Sequence, residues 1–149
     1  MKVHFDHARG LFRARPEDEG AVDLRYPEAR VYVQAANYET AKAPNARERA
    51  SYIAEDTKLL GRTRLVLTSG SEEILPGVWV HGSHGHTRGH QWVEVKAESR
   101  TLAFPSDIVP TSRHLPLPYL MGFDISAETL LVEKDALLAR AVEEGWVLA

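Results

Sequence analysis

The 149-residue chain contains no cysteine, which excludes disulfides, thiolate metal sites and cysteine nucleophiles. Any metal it holds must bind through nitrogen and oxygen. It also lacks an apolar run approaching the roughly twenty residues needed to cross a bilayer, and Met1-Lys2 leads into polar residues rather than the apolar core of a signal segment. The expected location is therefore the cytoplasm, with no membrane partner. Charge of one sign is lacking too: 18 Lys and Arg stand against 21 Asp and Glu, for a net charge of -3. That balance argues against nucleic acid, whose phosphates demand clustered Lys and Arg. No phosphate-binding glycine fingerprint surrounds His86. Ser69-Gly70-Ser71 lacks the glycine that a nucleophile elbow places before its serine, and reads as a hairpin turn.

What is present is ordinary globular texture: 44% hydrophobic and 26% charged residues exclude disorder. At this length about two-thirds of the unfolded surface is buried, enough for one domain with its own core. Arg15 to Gly20 reads as a solvated loop after a short helix that follows Ala8-Arg9-Gly10. A strand is expected at Arg30 to Gln34, then a helix from Ala35 to Ala43 stopped by Pro44. A second helix is expected from Ala46 to Leu60, with Ala50, Ile53, Ala54 and Leu60 on one face and Gly61 as its stop. Arg64 to Leu67, Val78 to Val80, Gln91 to Val95 and Thr101 to Phe104 are short and β-rich, and are expected to pair as one sheet. Leu115-Pro116-Leu117-Pro118 must be a loop. Ser126 caps a final helix whose apolar stripe is Leu130, Leu131, Leu137, Leu138, Ala141 and Val142, ended by Gly145 before a strand at Trp146 to Ala149.

Six of the seven histidines fall in two clusters, His4-Phe5-Asp6-His7 and His81-Gly82-Ser83-His84-Gly85-His86-Thr87-Arg88-Gly89-His90, and Asp107 follows the second at the end of an apolar run. On a tight turn, Asp6 and His7 can point away from His4 and serve a different ion. Gly85 lets backbone approach closely while His86 projects from the strand end. Asp107 sits likewise after a strand, and its two oxygens can bridge cations. Imidazole and carboxylate suit Zn2+, Mn2+ or Fe2+. His81, His84 and His114 read as structural, and His90 as packing or as support for a ligand. Glu72-Glu73 and Glu143-Glu144 read as solvated surface.

His4-Phe5-Asp6-His7-Ala8, Gly85-His86-Thr87-Arg88-Gly89-His90 and Ser106-Asp107 resemble the metal motifs of the metallo-β-lactamase superfamily, in order and approximate separation, over nearly the whole chain. With Val33-Gln34-Ala35-Ala36-Asn37-Tyr38-Glu39 they are most similar to its lactonase and esterase branch. The resemblance implies an α/β (α+β) chain forming part of an αββα sandwich. Residues 1–149 would be one domain, the C-terminal portion of the full fold without its N-terminal sheet. It implies hydrolysis of an ester, lactone, thioester or related bond in a small molecule by a hydroxide on two divalent ions, with Zn2+ foremost. His4 and His86 would bind the first ion, Asp6 and His7 the second, and Asp107 would bridge them. Asp107 and Asp6 would be the catalytic carboxylates.

The chain departs from the family pattern at several points. Lys2 stands where the family has its first histidine, and an ammonium has no lone pair for a metal. The family's last histidine would fall beyond Ala149, and its first sheet before Met1, so the expected chain is one truncated at both ends. Pro110 replaces a lactonase tyrosine and His84 a proline, which leaves lactones as one substrate class among several. Selectivity would come from Leu115 to Gly122, with Arg113, His114 and Tyr119 as candidate substrate contacts. The alternative from a different class is a non-catalytic fragment or interaction module that binds no metal or one metal weakly. Its exposed sheet would favour association, including a homodimer.

Overall fold

A computed structural model describes residues 2–15, 17–18 and 21–149, so Pro16, Glu19 and Gly20 of the expected loop lie outside the described residues. The elements run α1 (Phe5–Ala8), β1 (Phe12–Ala14), β2 (Val22–Leu24), β3 (Arg30–Gln34), α2 (Ala35–Lys42), α3 (Ala54–Leu60) and β4 (Arg64–Thr68). They continue with β5 (Ser71–Leu75), β6 (Val78–Ser83), β7 (His90–Lys96), β8 (Thr101–Phe104), α4 (Ala127–Glu143) and β9 (Val147–Leu148). Single 3-10 turns stand at Arg9–Leu11, Arg49–Ser51, Ser106–Ile108 and Ser112–His114.

Alternation sets the layers. Val31 and Val33 of β3 point into one core, with Ala41 of α2, Leu60 of α3, Val3, Phe12 and Tyr52. Period two then turns Tyr32 and Gln34 to the opposite face. There Gln91 of β7 meets Gln34, Thr68 and the Tyr32 carbonyl through hydrogen bonds of 3.3, 3.2 and 3.3 Å. The small parallel sheet β3-β4 thus lies between helices and the larger sheet, whose order is β5-β6-β7-β8-β9. On the far face of that sheet Trp92, Ala103, Trp146 and Leu148 pack with Leu130, Leu137 and Ala141 of α4. The layer order is α, β, β, α. Leu102, Phe104 and Val147 share the face turned toward the two-stranded sheet and remain exposed.

Several expectations need correction. The strand at Arg64 pairs with β3 in parallel, not with the later strands. The helix expected from Ala46 begins only at Ala54, because Tyr52 and Ile53 are extended. Burial of Tyr52 in the first core overrides the helix propensity of that segment, and Ala50 and Ala54 are exposed. Helix begins within the first histidine cluster itself, and Phe12–Ala14 pairs with Val22–Leu24 as an antiparallel ribbon. Glu72 and Glu73 belong to β5 and are exposed, in keeping with their reading as solvated surface.

α4 is capped by Ser126, whose Oγ accepts from Thr129 N at 3.3 Å, and Gly145 follows with φ 66°. Leu131 and Val142 of its expected stripe are exposed, whereas Lys134 is fully buried. The Lys134 ammonium donates to the carbonyls of Pro116, Leu117 and Tyr119 at 2.7, 3.3 and 3.0 Å. A loop whose prolines supply no donors needs one from elsewhere, and α4 provides it. No helix of the described residues is long and apolar enough to cross a membrane.

Candidate metal centre

His4 is the N-cap of α1, with its carbonyl accepting from the His7 and Ala8 amides at 3.0 and 2.9 Å. That turn places Asp6 and His7 together on the outer side. Asp107 arrives from the end of β8 through the turn at Ser106–Ile108, where Ser106 is a non-glycine residue with φ 51°. His7 Nε2 lies 3.3 Å from Asp107 Oδ2 and 3.4 Å from Asp6 Oδ2. Ligand atoms of these three residues lie within 4.8 Å of one another, the spacing a single ion requires. Asp6 is half exposed at 51%, so the cluster opens to solvent.

Asp107 Oδ2 also meets a buried cation. His86, at the end of the β6 turn, is 2% exposed, and its Nε2 lies 2.9 Å from Lys2 Nζ. Lys2 Nζ is also 2.5 Å from Asp107 Oδ2, with the lysine side chain only 3% exposed. Lys2 has donors only, so it takes the lone pair of His86 and one of Asp107. Those lone pairs are what a cation between His86 and Asp107 would need, and the residues at this position do not fit a metal. The His4 ring packs edge-on against His86 at 5.3 Å and against Tyr52 at 4.6 Å. Burial, with the Lys2 charge, drives His4 down to about pKa 3, and its Nε2 is buried without a hydrogen-bond partner. Burial alone would raise Asp107, but hydrogen bonding from His7 and the Lys2 charge outweigh it and hold the carboxyl well below the usual range.

Three supports stand behind these residues, and of them the sequence marked only His90 as a candidate for that role. Asp124 accepts from His86 Nδ1 at 2.8 Å and from the Met121 amide at 2.8 Å, and thereby leaves the His86 Nε2 lone pair facing Lys2. His90 Nδ1 bonds Ser83 Oγ at 2.7 Å, while its Nε2 accepts the Asp107 amide at 3.2 Å. His90 thus supports the Asp107 backbone, and burial holds its pKa well below the ordinary value. Asn37, fully buried, accepts from the Val3 amide at 2.7 Å and donates to the Arg88 carbonyl at 3.0 Å and to Tyr52 OH at 3.1 Å. It ties the two histidine motifs together. Tyr52 OH continues to Thr87 Oγ1 at 2.9 Å, and Thr87 donates to Glu48.

Other sequence candidates lie elsewhere. His84 Nδ1 accepts the Gly89 amide at 3.2 Å. His81 links Ser71 Oγ and Glu94 Oε2, both at 2.9 Å, on the α4 face and stacks on Trp92. His114 Nδ1 bonds Thr111 Oγ1 at 2.9 Å, and Tyr119 is an exposed side chain. No contact found among the described residues joins Arg113, His114 or Tyr119 to the metal cluster, whereas exposed Phe123 lies edge-on to His86 at 6.1 Å.

Solved structures share this architecture. A probable metal-dependent hydrolase from Staphylococcus aureus superposes with a TM-score of 0.86 at 23% identity, over 99% of this chain and 50% of that one. The hydrolase AbOPH, of the beta lactamase superfamily, gives 0.74 at 20% identity, over 99% and 53%. The chain has a metallo-β-lactamase fold. AidC, a dizinc quorum-quenching lactonase in complex with a hexanoyl-homoserine product, has the same fold at 0.73 and 14% identity, over 95% of this chain and 52% of its own. This chain spans about half the length of these structures. Neither a protein-family model nor a curated protein matches the sequence. The structural neighbours are hydrolases, and the metallo-β-lactamase-type layers of this chain bring Asp6, His7 and Asp107 into one cluster.

Proposed function

We propose that residues 1–149 act as one metallo-β-lactamase-like unit, a metal-dependent hydrolase of a small-molecule ester, thioester, lactone or related bond. The observation that carries this reading is the convergence of Asp6, His7 and Asp107 at ion-binding spacing on the open side of α1. It is supported by neighbours that are a probable metal-dependent hydrolase and a dizinc lactonase. Two carboxylates and an imidazole suit a borderline divalent ion, Zn2+ foremost.

A bound ion supplies Lewis acidity toward a scissile carbonyl and toward water. Asp107, held ionised by His7 and Lys2, is a ligand and a poor proton acceptor, since a useful base titrates near the working pH. Asp6 is the more solvent-exposed of the two carboxylate ligands. Phe123, exposed beside His86, offers an apolar surface to the substrate's non-reacting part. The test is hydrolysis of a chromogenic acetate ester, a thioester and a γ-lactone by the Zn2+-loaded chain. The expected result is turnover of at least one, abolished by chelation and by Asp107→Asn. No turnover above the Asp107→Asn background on any of the three contradicts the reading.

A further inference from the structure

The buried Lys2 side chain ends in a place built for a cation. Its ammonium lies between His86 Nε2 at 2.9 Å and Asp107 Oδ2 at 2.5 Å. Asp124 fixes the orientation of His86 from behind, with its own side chain 1% exposed. An imidazole backed by a carboxylate, and facing a second carboxylate, is a ligand arrangement. Here the thing it faces is an amine on the same chain. The ammonium compensates the charge on Asp107, whose Oδ2 it shares with His7.

Charge points the same way. Asp6 and Asp107 carry two negative charges. With Asp124 behind His86 there are three, which Lys2 and one divalent ion already balance, so a second divalent ion beside a buried ammonium would add two uncompensated charges. At the open cluster Lys2 touches Asp107 at Oδ2, the oxygen that His7 also faces, and among the described residues it makes no contact with Asp6 or His7, whose ligand atoms are left to an ion.

We propose that this chain binds a single divalent ion, at Asp6, His7 and Asp107, and that the Lys2 ammonium is a permanent substitute for the partner ion of a two-metal site. The inference rests on the metal-dependent reading above. Lys2 is a positioning residue in it: it holds His86 and Asp107 without touching substrate, and it sets the metal count.

The test is Zn2+ bound per folded chain, measured by equilibrium dialysis and elemental mass spectrometry on the wild type, Lys2→His, Lys2→Ala and His7→Ala. The wild type is expected to hold one ion, lost in His7→Ala. Lys2→His should hold two, because an imidazole then joins His4, His86 and Asp107. Lys2→Ala frees the same lone pairs without adding a ligand, and should take a second, weaker ion, so the proposal stays testable if the histidine variant fails to fold. Two ions in the wild type, or one ion in both Lys2 variants, would overturn the inference while leaving a metal-dependent hydrolase intact. No ion in the wild type would instead sink the metal-dependent reading itself.

Discussion

The Nδ1 of His86 donates to Oδ1 of Asp124 across 2.8 Å, although 38 positions separate them in the chain. The second oxygen of the same carboxylate accepts the Met121 amide at 2.8 Å. Asp124→Ala would leave both donors without a partner, His86 at 2% exposure. At roughly 1–3 kcal/mol for each unsatisfied buried donor, urea unfolding should show a loss of about 2–6 kcal/mol. Asp124→Asn keeps one acceptor and should lose less. Equal stability of the alanine variant and the wild type would show that the contact does not orient His86.

Two glycines permit the motif to pack as it does. A Cβ on Gly85 would meet the N and Cα of Leu130 at 2.4 Å, and one on Gly89, which has φ 71°, would meet the Asn37 amide at 2.4 Å. Both obstacles are backbone and cannot rotate away. Gly85→Ala and Gly89→Ala should each destabilise by about 3 kcal/mol or more. Gly10 has nothing within 4 Å of its Cβ position, so Gly10→Ala should be neutral or stabilise by up to about 1 kcal/mol. Chemical denaturation of the three variants measures the contrast.

Acid should unfold the metal-free chain through its buried imidazoles. Burial lowers His4 to about 3, and lowers His81 and His90 from their ordinary value of 6.5. The unfolded chain therefore binds protons below about pH 6.5 that the folded chain refuses, and stability falls as pH falls, by up to about 1.4 kcal/mol per unit for each imidazole. Above that pH their contribution is complete and constant. Asp107 acts in the same sense lower down, its contribution present above 3.8 and lost as pH falls below it. Urea midpoints from pH 4 to 8 should rise and then level off, with a shallower rise in His81→Gln. A flat profile below pH 6.5 would contradict the burial of these rings.

The sequence made some of this legible and not the rest, for physical reasons. His4, Asp6, His7, His86 and Asp107 stand out because local spacing carries them, and α4 because a serine cap, an apolar stripe and a closing glycine agree. Asp124 follows a proline-rich loop with no periodicity, so nothing local marks it as the partner of His86. The fate of Tyr52 is decided by tertiary contacts with Asn37 and Thr87, which propensity cannot see. Parallel pairing of β3 with β4 is likewise non-local. Lys2 was readable as a residue that cannot ligate a metal. That its ammonium would settle on His86 and Asp107 needed the fold.

The most direct measurement is an anomalous difference map at the zinc edge from a crystal of the chain soaked in Zn2+. The expected result is one peak within coordination distance of Asp6, His7 and Asp107, with the Lys2 ammonium still bonded to His86 and Asp107. A peak between His4 and His86 with Lys2 displaced, or no peak at His7, would contradict it.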